Sequence, residues 1–170
     1  MSAAAAYELR TGRWELVASA STARISVGNF ARRVVTGDVP IRSASVELGA
    51  DGVPGQVEAV LDLAALDTGN SRRDADLRKP KLLDTARHPD LTFTGTPARI
   101  GDDWQVRGRA CAREHEVAVT LSASLATAAD GVSVTADTDL EVRAFGVRAP
   151  RLLIGRTVHV HIEARFIPAA

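Results

Sequence analysis

Apolar and polar residues alternate along most of this chain, most sharply near its end. From Arg156 to Phe166, Val158, Val160, Ile162, Ala164 and Phe166 fall on one face, and Thr157, His159, His161, Glu163 and Arg165 on the other. A period of two predicts a β-strand with one dry side and one wet side. The same rhythm marks Trp14-Leu16-Ala18, Val57-Ala59-Leu61-Leu63, Leu91-Phe93-Gly95 and Trp104-Val106-Gly108-Ala110. It returns at Val117-Val119-Leu121-Ala123-Leu125 and Val132-Val134-Ala136-Thr138-Leu140-Val142, with weaker candidates at Ile25-Val27 and Ile41 to Leu48. Turn-forming clusters at Gly49-Ala50-Asp51-Gly52, Gly101-Asp102-Asp103 and Ala129-Asp130-Gly131 separate them. About eight amphipathic antiparallel strands satisfy themselves either as a sandwich or as a closed barrel.

The inward residues bear on that choice. A sandwich interdigitates bulky side chains at crystal-like density. Here the dry faces carry Ala18, Ala59, Gly95, Gly108, Ala110, Ala123, Ala136 and Ala164, many of them near mid-strand. Such small residues predict an all-β fold, a single antiparallel, lipocalin-like barrel of about eight strands with an apolar hollow for one ligand. Periodicity alone leaves open a barrel in which larger neighbours fill the middle. The residues expected to line the hollow are Trp14, Leu16, Val27, Ala59, Leu61, Phe93, Val106, Gly108, Ala110, Val119, Leu121, Ala123, Val134, Ala136, Thr138, Val160, Ile162 and Ala164.

One polar stretch, Asp67 to Pro80, is too long for a tight hairpin. Within it Ser71-Arg72-Arg73-Asp74 reads as an acidic capping box, with Ser71 accepting from the first free amides and Asp74 favourable at the positive helix end. The 64–90 connection is therefore expected to hold one short helix, Ser71 to roughly Arg78. Arg73, Asp74, Leu77 and Leu82 would form a lid, or a plug, over one barrel end, with Leu83 as a further anchor.

At 170 residues the chain reads as a flexible arm over 1–8 and one barrel domain over 9–168. Its 21 basic and 21 acidic side chains cancel, which argues against nucleic acid as a partner. No window approaches the roughly 18 apolar residues of a membrane span, so no integral membrane segment is expected. A single cysteine and a start, MSAAAAYELR, without a basic n-region or an apolar h-region point to the cytoplasm. A homodimer is compatible with the sequence and not required by it.

Catalysis needs ionisable groups converging in a pocket, yet the inward face holds almost none, with Thr138 its only hydroxyl. No catalytic residue and no required cofactor are expected. His159 and His161 share the wet face beside Glu163 without a third ligand, so they read as outer-wall residues and no metal is expected. Arg72, Arg73, Arg78, Lys79 and Lys81 form a basic cluster diluted by Asp74, Asp76 and Asp84. Cys111 alternates outward and reads as inert.

The run LDTGNSRRDADLRKPKLLDTARHPDLTFTGT resembles the segment that marks the YceI-like family, with Thr68, Gly69, Arg73, Asp74, Leu77, Asp84, Pro89 and Phe93 in matching order. Trp14, Gly37, Gly108 and Phe145-Gly146-Val147 extend the likeness over nearly the whole chain, while Asn29 and Asp76 stand where histidines are common. The resemblance implies an extended lipocalin-like barrel holding a polyisoprenoid, of the isoprenoid quinone or polyprenyl type. The expected function is thus non-catalytic binding, transport or sequestration of a long apolar lipid. A ligand-free structural or interaction barrel, and a barrel isomerase or cyclase, remain alternative readings.

Overall fold

The computed structural model of the protein describes residues 10–28, 34–128, 131–147 and 157–169. The expected arm at 1–8 and the Ala129-Asp130 part of one turn lie outside the described residues. Ten strands and one α-helix follow in order: β1 Gly12–Leu16, β2 Thr22–Gly28, β3 Val34–Val39, β4 Ile41–Leu48, β5 Pro54–Asp62, α1 Ser71–Leu77, β6 Asp90–Ile100, β7 Asp103–Ala112, β8 His115–Ala128, β9 Gly131–Glu141 and β10 Thr157–Pro168.

These ten strands close an eight-stranded antiparallel barrel, because two of its staves are broken. β10 pairs with β9 from Thr157–Glu141 to Phe166–Val132. Its other edge is shared in succession, Phe166 with Leu16 of β1 and Glu163 through His159 with Thr22 through Ser26 of β2. β1 and β2 are therefore two halves of one stave, interrupted by a 3-10 turn at Ala18–Ala20. β3 pairs with β2 and β4 with β1, so they form the second broken stave. Its break falls at Pro40, which has no N–H to give a ladder. From β4 onward each strand pairs with the next, and the β1–β10 seam completes the wall.

The closed wall has two different ends. At one lie α1, the β7–β8 turn and a 3-10 turn at Val142–Phe145. The β7–β8 turn is made by Arg113 and Glu114, both at positive φ (51° and 63°), as a two-residue hairpin of matching twist requires. At the other end lie the β4–β5, β6–β7 and β8–β9 connections and the outer halves of β1 and β10.

The core is split accordingly. One cluster gathers Leu63, Leu66, Phe145 and Val147 at the helix end, together with mid-barrel residues such as Phe93 and Val106. A separate one gathers Trp14, Leu48 and Val132 at the opposite end. Between them the small residues of the dry face leave space.

Candidate ligand cavity

That space is a cavity of about 370 Å³. All of the residues expected to line it do so except Val27 and Gly108. Val27 lies one residue beyond the last β2–β10 pair, Ser26–His159, where β2 is joined to β3 alone. Gly108 faces Gly95 across β6 and β7. A Cβ on Gly108 would sit 2.0 Å from the Thr94 carbonyl oxygen and 2.5 Å from the Gly95 Cα. The two backbones are in van der Waals contact there, and no cavity surface remains for Gly108. Gly95 plays a related part, since its missing Cβ leaves room for the Phe93 ring, whose Cζ would lie 2.7 Å from it.

The expected lining leaves out both ends of the cavity, although Leu63 and Trp104 fall on dry faces of the alternation and Leu83 reads as an anchor. Leu63, Leu66, Leu83, Phe145 and Val147 line it near the helix, and Pro54, Pro97 and Trp104 near the opposite end. Leu66, Phe145 and Val147 belong to turns and connections, where no period of two marks the inward side. Phe145-Gly146-Val147 was visible as part of the family pattern, yet nothing in its spacing gave it a direction.

Four lining residues carry polar side-chain groups: Thr138, Arg113, Trp104 and Trp14, whose indole N–H donates to the Arg10 carbonyl at 2.8 Å. The Thr138 hydroxyl donates to the Thr120 carbonyl at 2.9 Å. Arg113 donates through Nη1 to the Gly146 carbonyl and through Nη2 to the Pro80 carbonyl at 3.2 Å, pinning the capping connection to the turn after β9. The cavity therefore offers a ligand apolar contact without a free hydrogen-bonding hydroxyl. Such a surface favours hydrocarbon and penalises buried polar groups.

The helix end is sealed by a hydrogen-bonded plug. The N-cap of α1 is Asn70, not the expected Ser71: the Asn70 side chain accepts from the Arg73 N–H at 3.0 Å. Asp74 is free for another task. Buried at 5 % exposure, it accepts from the Thr68 N–H at 3.1 Å and from the Thr68 hydroxyl. Arg73 encloses the same residue, donating from Nε to the Thr68 hydroxyl at 2.9 Å and from Nη2 to its carbonyl at 3.0 Å. Arg78 ties the helix back to the Ala64 and Leu66 carbonyls at 2.9 and 2.8 Å. Leu77 and Leu82 pack against the core while Leu83 reaches the cavity. The segment also closes the free edge of β3, where Asp38 and Asp67 exchange backbone hydrogen bonds. Gly37 permits that approach, since a Cβ there would lie 2.9 Å from the Thr68 methyl.

The opposite end holds the mouth. Leu125 lines the cavity and is still 41 % exposed, whereas Leu66 and Phe145 at the helix end are 3 % and 5 % exposed. Gly52, Pro54, Pro97 and Trp104 carry the lining out to the strand ends beside it.

The outer wall carries a ladder of charge. His159 reaches Asp139 at 2.9 Å and Asp137 at 3.1 Å, and His161 reaches Asp137 at 2.8 Å. The hydrogen bond to Asp139 raises the pKa of His159, and that to Asp137 raises His161. The same contacts, with His161 the leading one, lower that of Asp137. Among the described residues no group of three or more His, Cys, Asp or Glu side chains is arranged to hold a metal ion. In the basic cluster Arg73 and Arg78 are consumed by the plug and Lys79 pairs with Asp76 at 2.7 Å. Among the described residues no helix is long and apolar enough to cross a membrane.

Known proteins share this architecture. The barrel superposes on Burkholderia cenocepacia BcnA with a TM-score of 0.79 at 15 % identity, covering 88 % of this chain and 98 % of that one. It superposes on a polyisoprenoid-binding domain from Saccharophagus degradans with a TM-score of 0.70 at 16 % identity, covering 92 % and 98 %. Protein YceI of Escherichia coli is 34 % identical over 71 residues, which are 41 % of this chain and 37 % of that protein. The match thus spans little more than a third of that relative's length. Over residues 14–166, from the tryptophan that opens β1 to the phenylalanine at the mouth end of β10, the sequence fits the YceI-like domain, and the chain belongs to the YceI-like family.

Proposed function

We propose that this barrel binds, without catalysis, one long apolar lipid of the polyisoprenoid type, and so carries or sequesters it. The observation that carries this reading is the cavity: about 370 Å³ lined almost wholly by hydrocarbon, in which the Thr138 hydroxyl and both Nη groups of Arg113 are already spent on backbone carbonyls. The polyisoprenoid-binding domain from Saccharophagus degradans, which has the same fold, supports the choice of lipid class. At about 30 Å³ for a group the size of a water molecule, the space takes roughly a dozen carbons, or two to three prenyl units. Burying them contributes about 10 kcal/mol at about 0.8 kcal/mol per methylene, enough to offset the costs of association. A longer chain continues through the mouth, and any polar head stays outside.

Native mass spectrometry of the protein as purified from cells, followed by organic extraction, tests this. The expected result is one apolar molecule per chain. An empty protein that also refuses a polyprenol added in detergent would leave a structural barrel as the better description.

A further inference from the structure

Among the described residues four large apolar side chains are exposed, and all four stand at the mouth end. They are Val53 at 58 %, Ile100 at 55 %, Leu125 at 41 % and Ile167 at 40 %. Each comes from a different part of the wall: the β4–β5 turn, the last residue of β6, the outer part of β8 and the outer part of β10. The opposite end, with its helix, contributes none among the described residues. Leu125 belongs to both rim and lining, so apolar surface is continuous from the outside into the cavity.

The geometry points to a docking face for a lipid surface, with the four rim residues entering the acyl boundary and the mouth held against it. Scattered single exposed hydrophobics are ordinary, but a ring of them round an opening is not. The ring suits a fluid, flat partner better than a folded one. Four side chains expose a few hundred Å² at most, well short of the roughly 800 Å² that each partner of a stable protein complex buries. Protein interfaces concentrate their energy at the centre of the patch, and here the centre is a hole. Charges beside the ring have both signs: Arg13 pairs with Glu15 at 3.1 Å, Arg99 lies 6.0 Å from the centre of the Trp104 ring, and Asp51, Asp102 and Asp103 are exposed. The carboxylates outnumber the guanidinium groups there, which disfavours an anionic surface, so the lipid surface is zwitterionic. An apolar cargo with negligible aqueous solubility also has to be exchanged where it dissolves, which is such a surface.

The test is flotation of the full chain with unilamellar phosphatidylcholine vesicles. Wild type is expected to float, and Val53→Asp combined with Ile100→Asp to lower the vesicle-bound fraction at least tenfold, since a carboxylate resists entry into the acyl region. Lys81→Asp, at the helix end, is expected to float as wild type does. The protein's two tryptophans, Trp14 and Trp104, both line the mouth half of the cavity, so lipids brominated near the headgroup are expected to quench its emission. The proposal is overturned by wild type that does not float, by rim variants that float unchanged, by binding confined to anionic vesicles and abolished by salt, or by a dimer that the rim variants dissociate in the absence of vesicle binding. Val53 and Ile100 do not line the cavity, so retention of a polyprenol probe in vesicle-free buffer is read separately: its loss in wild type strikes the lipid-binding reading and leaves docking to the flotation result.

Discussion

Asp74 and Thr68 are joined twice, through the backbone N–H and the hydroxyl of the threonine, and this pair is the knot that holds the plug in the barrel. Asp74→Ala would leave both Thr68 donors without their acceptor, while Arg73 keeps its own acceptors on Thr68. Buried groups stranded in this way cost about 2–3 kcal/mol, so the midpoint of urea unfolding is expected to fall clearly. Asp74→Asn, which keeps one acceptor, is expected to lose less. An unchanged midpoint for the alanine variant would mean that the plug is held by its leucines alone.

Gly108 and Gly95 separate two kinds of close contact. At Gly108 an added methyl meets backbone, the Thr94 carbonyl and the Gly95 Cα, which cannot move without parting β6 from β7. At Gly95 it meets the tip of Phe93 and the Val106 methyl, which can turn aside. Gly108→Ala is expected to cost about 3 kcal/mol or more, at the upper end of overpacking, and Gly95→Ala about 1 kcal/mol. Thermal unfolding of the two side by side checks the order.

Ala123 and Ala136 face each other across β8 and β9, both toward the cavity. Replacing Ala136 by leucine is expected to fill empty volume, keeping the fold while reducing the amount of polyprenol bound. In a filled core the same change would cost about 1–3 kcal/mol. The comparison is made on delipidated protein, because bound ligand adds its own stabilisation. A strongly lowered midpoint there would argue against usable space at this position.

The histidine ladder makes a prediction about pH. His159 and His161 have raised pKa values, so their contribution is fully present below the ordinary histidine value of about 6.5 and is lost as pH rises through the raised values. Asp137 has a lowered value, so its share is present above about 3.9 and is lost as pH falls through the lowered one. The ladder is therefore strongest between about pH 4 and 6.5. His159→Ala with His161→Ala is expected to lower the melting temperature in that window and to converge with wild type toward pH 8.5, an effect that salt weakens because the side chains are largely exposed.

Much of the wall was legible in the chain because a strand with one dry face writes its orientation into every second residue. Val158 to Phe166 and Val132 to Leu140 could be read inward or outward directly. The ends of the barrel were less legible. Val27 kept the alternation of a wall residue where its strand had already parted from β10, and Gly108 was counted as hollow when its missing side chain had been spent on bringing two strands together. Ser71 looked like the cap, but the adjacent Asn70 has an acceptor of similar reach and lies at the extended position before the first helical residue. The β7–β8 hairpin was silent for another reason. Its two left-handed positions are filled by Arg113 and Glu114, which carry no turn signature, and Arg113 holds its place through contacts from distant parts of the chain.

The engagement of Thr138 and Arg113 with backbone carbonyls has a consequence for what any purified sample contains. A container that asks nothing of its contents beyond girth and oiliness cannot choose among molecules that meet both conditions. Its occupant is then set by competition, according to which such molecules are abundant when the chain folds. Protein made in two hosts is expected to carry two different lipids, each a record of the cell that produced it, and only exchange against a defined mixture reveals the barrel's own preference.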